Sequence, residues 1–204
     1  MAINSFSTLK TAVSDWVDRS DIAAAVETMI GLAEARIYRE LRIQPMETAL
    51  SSTIASGVIA VPSSYLELRY AYVDQAKAIS LEVKTPDWII GNYPTRSSES
   101  IPKFIARDGS NFIFGPYPDS TYTIKGSYYA TLTALSTSNE TNWFTTNAPD
   151  LLLYGTLVHS APYIGHDERL SLWEGAYQQA KSLVREQDDA ERFPRGMPMR
   201  ATPQ

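Results

Sequence analysis

The residues able to do acid–base or metal chemistry are few. Both histidines, His159 and His166, lie in the stretch "LLLYGTLVHSAPYIGHDERLSLWEGAYQQA", with Asp167 and Glu168 directly after the second. An imidazole beside a carboxylate can serve as a general base or hold a metal ion. A zinc-binding helix sets its histidines one turn apart, as in H-E-x-x-H. Here they are seven positions apart, with Pro162 and Gly165 between them. That spacing assigns one histidine to a helix and the other to a loop near a helix start, and no metal or other cofactor is expected. Two carboxylate pairs remain. Glu67 and Glu82 fall on strands expected to be neighbours, and Asp188 adjoins Asp189. A glycosidase needs two carboxyls ~5–9 Å apart across a cleft, one of them held protonated, whereas charged residues on strands and helix ends ordinarily face solvent. No G-x-S-x-G, P-loop or G-x-G-x-x-G is present, and there is no cysteine. Thiolate nucleophiles, disulfides and cysteine-ligated zinc are therefore excluded. No catalytic residue is assigned. The aromatic supply, 12 Tyr, 6 Phe and 4 Trp, suits either sugar and base stacking or a core with protein interfaces.

Elements must position whatever these residues do. The chain has 204 residues, 44% hydrophobic and 20% charged, enough for one domain or two lobes sharing a core. A net charge of −5 argues against a general nucleic-acid binder, which needs a basic stripe, but not against a ring through which DNA slides. The start, "MAINSFSTLKTAVSDWV", lacks the features of a signal peptide, and no run approaches the ~18 apolar residues of a membrane span. The expectation is a soluble protein made in the cytoplasm, with no membrane partner.

Helical spacing rules the first segment. Phe6, Leu9, Val13, Trp16 and Val17 share a face behind a capping Ser5. Asp21 is the expected cap of a second helix with the face Ile22, Val26, Met29, Ile30, Ala33, Ile37 and Leu41. Glu34, Arg36, Arg39 and Glu40 are placed on its other face, and Pro45 closes it. The period then changes. "GVIAVP", "YLELRYAYV", "ISLEVK" and "TYTIKGSYYAT" read as strands, "KFIARDGSNFIFGP" as a hairpin turning at Asp108-Gly109, and "TPDWIIGN" as a short helix with proline in its first turn. These make a small antiparallel sheet or a sandwich.

From Pro149 the helical period returns. Leu152, Gly155, Val158 and Ala161 form a stripe that Pro162 must end or kink. Asp167 is placed as the cap of a last helix with the face Leu170, Trp173, Ala176, Tyr177, Ala180, Leu183 and Val184, and "REQDDAER" leads out of it. The fold class is α+β. Terminal helices form a bundle, residues 1–47 and 147–190, around an inserted antiparallel β domain, residues 48–146, followed by an extended C-terminal arm, residues 191–204. The arm is rich in proline and arginine, with Phe193, Met197 and Met199 as its apolar residues. It is either a frayed terminus or a segment that orders on a partner.

Four stretches carry a resemblance: "LAEARIYRELRIQPME", "VPSSYLELRY", "IPKFIARDGSNFIFGPYPDSTYTIKGSYYATLTALS" and "TNWFTTNAPDLLLYGTLVHSAPYIGHDERLSLWEGAYQQA". Their order and spacing, rather than any one motif, resemble the head–tail adaptor (connector) proteins of tailed bacteriophages, akin to tail tubular protein A of short-tailed phages. The resemblance spans roughly residues 5–187. It implies a structural virion protein at the head–tail junction and no enzyme. Copies would form a ring, commonly dodecameric, beneath the portal protein, join it to a tail or nozzle protein, and leave a channel for DNA passage and ejection. It also implies that the C-terminal arm reaches the portal, which makes Phe193, Arg195, Met197, Met199 and Arg200 the expected portal-binding residues. A second reading stays open at this point, a tail-associated glycan-binding or hydrolytic protein, for which the tyrosines and carboxylates would be the material.

Overall fold

A computed structural model describes residues 2–19, 21–94, 100–164 and 168–192. Among them are seven α-helices and two four-stranded sheets, an α+β fold. The chain divides into two compact units, residues 1–45 with 132–204, and residues 46–131. Residues 132–146, placed with the strands on sequence grounds, thus group with the helices.

In the helical unit, α1 (Phe6–Val17) starts at a reciprocal cap. Thr8 N–H donates to the Ser5 hydroxyl and Ser5 N–H donates to the Thr8 hydroxyl, which satisfies two of the free donors at the helix start. The next helix, α2 (Ala23–Glu40), departs from expectation. Its N-cap is Ile22, with no side-chain cap, because Asp21 is engaged by Arg19. Its predicted apolar face is buried throughout from Ile22 to Leu41.

Beyond the strands come α4 (Trp143–Asn147), α5 (Pro149–His159), α6 (Ala161–Ile164) and α7 (Leu170–Arg192). The stripe expected on α5 is too narrow. Leu151, Leu152, Leu153, Gly155, Thr156 and Leu157 are all buried, because α5 touches α1, α2, α4 and α7. A helix enclosed on several sides must be apolar around its circumference. Gly155 lets α2 and α7 pack closely on α5: a Cβ there would sit 3.3 Å from the Tyr177 ring and 3.4 Å from Ala33. The hydroxyls that share this interior donate within the helix, Thr156 to Leu152 O at 2.7 Å and Ser160 to Leu157 O at 2.6 Å.

α7 also needs correction. Trp173, Tyr177, Ala180 and Val184 are buried as expected, but Leu183 is 54% exposed. "REQDDAER" continues the helix to Arg192, so the separation drawn between residues 190 and 191 falls inside it. The Asp167 cap lies outside the described residues.

In the β unit the sheet orders are β1-β8-β3-β4 and β2-β7-β6-β5. The strands are β1 (Glu47–Thr53), β2 (Val58–Ala60), β3 (Tyr65–Val73), β4 (Ile79–Ser80), β5 (Glu82–Val83), β6 (Phe104–Asp108), β7 (Asn111–Gly115) and β8 (Thr123–Ala130), with α3 (Pro86–Asn92) between β5 and β6. Both sheets supply one apolar core, among them Leu50, Val73, Ile105, Phe112, Phe114 and Ile124. Every pairing is antiparallel except β5 with β6, which is parallel.

The stretch "ISLEVK" is not one strand. It crosses from the first sheet to the second at Leu81, which is buried in the shared core, and Val83 ends up exposed. Strict alternation also fails in β3, where register shifts before Glu67 and Tyr70 reverse the parity. Tyr65, Leu68, Ala71 and Val73 therefore face the core, while Tyr70 and Tyr72 stack on each other at 6.5 Å. In the hairpin Asp108 is still paired with Asn111, so the loop is Gly109-Ser110. Strand β1 had no counterpart in the sequence reading.

Gly126 of β8 permits a tight crossing, since a Cβ there would lie 2.2 Å from the Tyr70 carbonyl oxygen.

Candidate functional site

The residues that could have done chemistry are dispersed. His159 ends α5, half-buried; its Nε2 is buried and, among the described residues, has no hydrogen-bond partner. Burial, with Arg36 and Arg39 adding positive charge, lowers its pKa and keeps the ring neutral. His166 lies outside the described residues. Glu67 and Glu82, expected on neighbouring strands, stand in different sheets because of the crossing at Leu81, and Glu82 is paired with Lys84. Asp188 and Asp189 point apart, as successive helical residues do. Asp188 is buried and accepts from Gln44 N–H at 2.6 Å and Arg192 Nε at 2.6 Å, while Asp189 is exposed. Asp188 thus holds the chain leaving α2 against α7.

Sequence reasoning missed the two polar arrangements that organise the helical unit. The first clasps α2 to α7. Arg36 donates to both carboxylate oxygens of Glu174, at 2.8 and 2.6 Å, and to Glu40 at 2.9 Å. Glu40 also accepts from Lys181 at 2.7 Å and from the Tyr177 hydroxyl at 3.2 Å. The Arg36 guanidinium lies 4.2 Å over the Tyr177 ring. These charges act on one another. Arg36 holds Glu174 at a pKa of about 2. The Glu40 carboxyl is also lowered: its burial works the other way, but Lys181 and Arg36 together outweigh it. Both carboxylates are committed to cations, which suits them to joining helices rather than to taking up a proton at neutral pH.

The second arrangement centres on Glu34, expected on the solvent face but only 3% exposed. Its oxygens accept from Leu135 N–H, at 3.3 Å each, and from Asn142 Nδ2 at 3.0 Å. Asn142 in turn caps α4. Burial raises the Glu34 pKa despite these two donors. The signal was present in the sequence: Glu34 stands four residues after Ile30 and three before Ile37, within the apolar face.

Some apolar side chains lie on the outer surface of the helices. Leu32 of α2, and Leu172 and Leu183 of α7, are 49%, 70% and 54% exposed. Leu172 and Leu183 are eleven residues apart, close to three turns, and so share one face of α7. A groove of about 360 Å³ runs beside α1, lined by Phe6, Lys10, Ala23 and Glu140 among others. Among the described residues no group of His, Asp and Glu could hold a metal ion, and no helix is long and apolar enough to cross a membrane.

A family model described as SU10 adaptor protein matches residues 4–202. The chain belongs to that family. This is a phage adaptor family, as the resemblance in the sequence implies, and membership implies a structural rather than a catalytic role for the adaptor. No curated protein matches the sequence. The interior of the adaptor fits that role: its polar groups hold helices and connections in place, while apolar side chains remain at the surface. The five residues expected to bind the portal, Phe193, Arg195, Met197, Met199 and Arg200, lie outside the described residues.

Proposed function

We propose that copies of this adaptor form a ring at the head–tail junction of a virion, beneath the portal, with a central channel for DNA. The observation that carries the proposal is membership of the adaptor family over residues 4–202. The terminal helices act as one bundle whose interior clasp fixes the angle between α2 and α7. A helical unit held in this way presents the same surfaces in every copy of a ring. Each copy in a ring must offer two different surfaces to its neighbours. Leu32, Leu172 and Leu183 supply apolar contact of the sort such surfaces use. The net charge of −5 suits a channel wall that must not grip phosphates.

Phe193, Arg195, Met197, Met199 and Arg200 supply the portal contact. Methionine and phenylalanine give adaptable apolar contact, and arginine pairs with carboxylates. The tail side of the ring meets a tail or nozzle protein. Free copies are monomeric or weakly associated, and the ring closes on the portal. Sedimentation of the adaptor with and without purified portal protein tests this. The expected result is a small species alone and a large joint species on mixing. A chain ending at Arg192 keeps the Asp188–Arg192 pair and should melt like the full chain, yet lose most portal affinity. Portal binding at full strength by that chain would remove the C-terminal residues from the proposal.

A further inference from the structure

The four-stranded sheet that contains β8 has one edge unlike the rest. Strand β1 has seven residues and pairs with β8 along its whole length in unbroken register. Just beyond it, Ile54 N–H donates to Tyr122 O at 2.9 Å. Main-chain direction alternates along a strand. Thr48, Leu50 and Ser52 therefore direct their N–H and C=O groups at β8, and Ala49, Ser51 and Thr53 direct theirs outward. Among the described residues, no hydrogen bond reaches those outward groups. Natural sheets blunt such an edge with a charge, a proline, a bulge or a very short strand. The one charge in β1 is at its first residue, Glu47, which is paired with Arg69; from Thr48 to Thr53 there is no charge and no proline, and the pairing has no bulge. The other edge strands, β2, β4 and β5, have only three, two and two residues. Where β3 extends beyond β4, its register is broken by the two shifts near Glu67 and Tyr70.

We propose that the open edge of β1 receives an extended segment of a different virion protein, which adds a fifth strand to this sheet. Recognition is mainly through the main chain, so the segment is proline-free and about as long as β1. Beside Leu50 it presents an apolar residue toward the core. Beside Ala49 and Ser51 the outer face is low, and larger residues fit there. A second copy of this chain is not the occupant, an argument that rests on the ring reading. Ring contacts join two different surfaces, and the described edges of another copy are too short or too broken to match β1. Pairing β1 with β1 is two-fold and closes at a dimer, which excludes it from a ring.

The test is amide hydrogen exchange on the full chain, alone over a range of concentrations and within assembled particles. The amides of Ala49, Ser51 and Thr53 should exchange freely in the protein alone and slow on the order of 100-fold in particles. Unchanged exchange in particles overturns the proposal and leaves the ring standing. Slowing in the protein alone at high concentration also overturns it, because the occupant is then a second copy. Ser51→Pro removes one outward donor and leaves the ladder to β8 intact. It should melt like the parent and still bind portal, but fail to join the partner that protects the edge; normal joining by this variant contradicts the added strand.

Discussion

Arg36 of α2 meets Glu174 of α7 through two parallel bonds, 2.8 and 2.6 Å long, while its guanidinium covers the Tyr177 ring at 4.2 Å. A planar fork is needed to satisfy both the carboxylate and the ring. Arg36→Lys keeps the charge and loses the geometry. Arg36→Ala should destabilise by about 1–3 kcal/mol in urea unfolding, since it removes the bidentate partner of Glu174 and one of the donors to Glu40, and Arg36→Lys should recover only part of that loss.

The same pair gives an acid dependence. Glu174 is held well below its ordinary 4.5, at about 2. A carboxyl depressed on folding stabilises fully above its unfolded pKa and loses that contribution as pH falls through the folded one. The contribution of Glu174 should therefore be complete above pH 4.5 and decline toward pH 2. Glu174→Gln should flatten that part of the stability–pH curve. Because Glu174 is 40% exposed, added salt should weaken the effect.

Glu34 makes a different prediction. Its acceptors serve Leu135 N–H and the Asn142 side chain, the latter being the cap of α4. Glu34→Ala should cost about 1–3 kcal/mol through the stranded buried donors. Slower-exchanging amides around Leu135 should become faster in the variant. A variant as stable as the parent would show that these donors find water instead.

Trp173 is 2% exposed in the core of the helical unit. Trp173→Ala should cost ~3–5 kcal/mol, measured by denaturant titration followed by circular dichroism. His159→Ala should leave portal binding unchanged, because the neutral imidazole serves no proton transfer in this account.

How far the sequence disclosed this depends on the kind of signal. The faces of α1 and α2 repeat at helical spacing, so Val13, Val26 and Ile37 could be placed without coordinates. Glu34 stands at the spacing of that face, but its partners, Leu135 and Asn142, are about a hundred residues away and could not be read from the sequence. The Arg36–Glu174 clasp was hidden for the same reason. Strand β1, "ETALSST", lacks the aromatic residues that marked β3 and β8; its place is set by pairing with β8. The chain's passage between sheets at Leu81 likewise follows from tertiary packing, since "ISLEVK" alternates as cleanly as a single strand would.

Leu172 and Leu183 sit exposed on one face of α7, and the account assigns such residues to contacts between copies. Leu172→Glu with Leu183→Glu should leave the melting temperature within a few degrees of the parent and abolish ring formation on the portal. Loss of folding would instead place the two leucines in the interior of the subunit.

The central claim is that the adaptor forms a ring beneath the portal, and electron microscopy of the purified adaptor mixed with purified portal protein tests it most directly. The account predicts a closed ring of adaptor copies on one end of the portal, coaxial with its channel. Adaptor copies scattered over the portal surface, or absent from it at saturating concentration, would contradict the account.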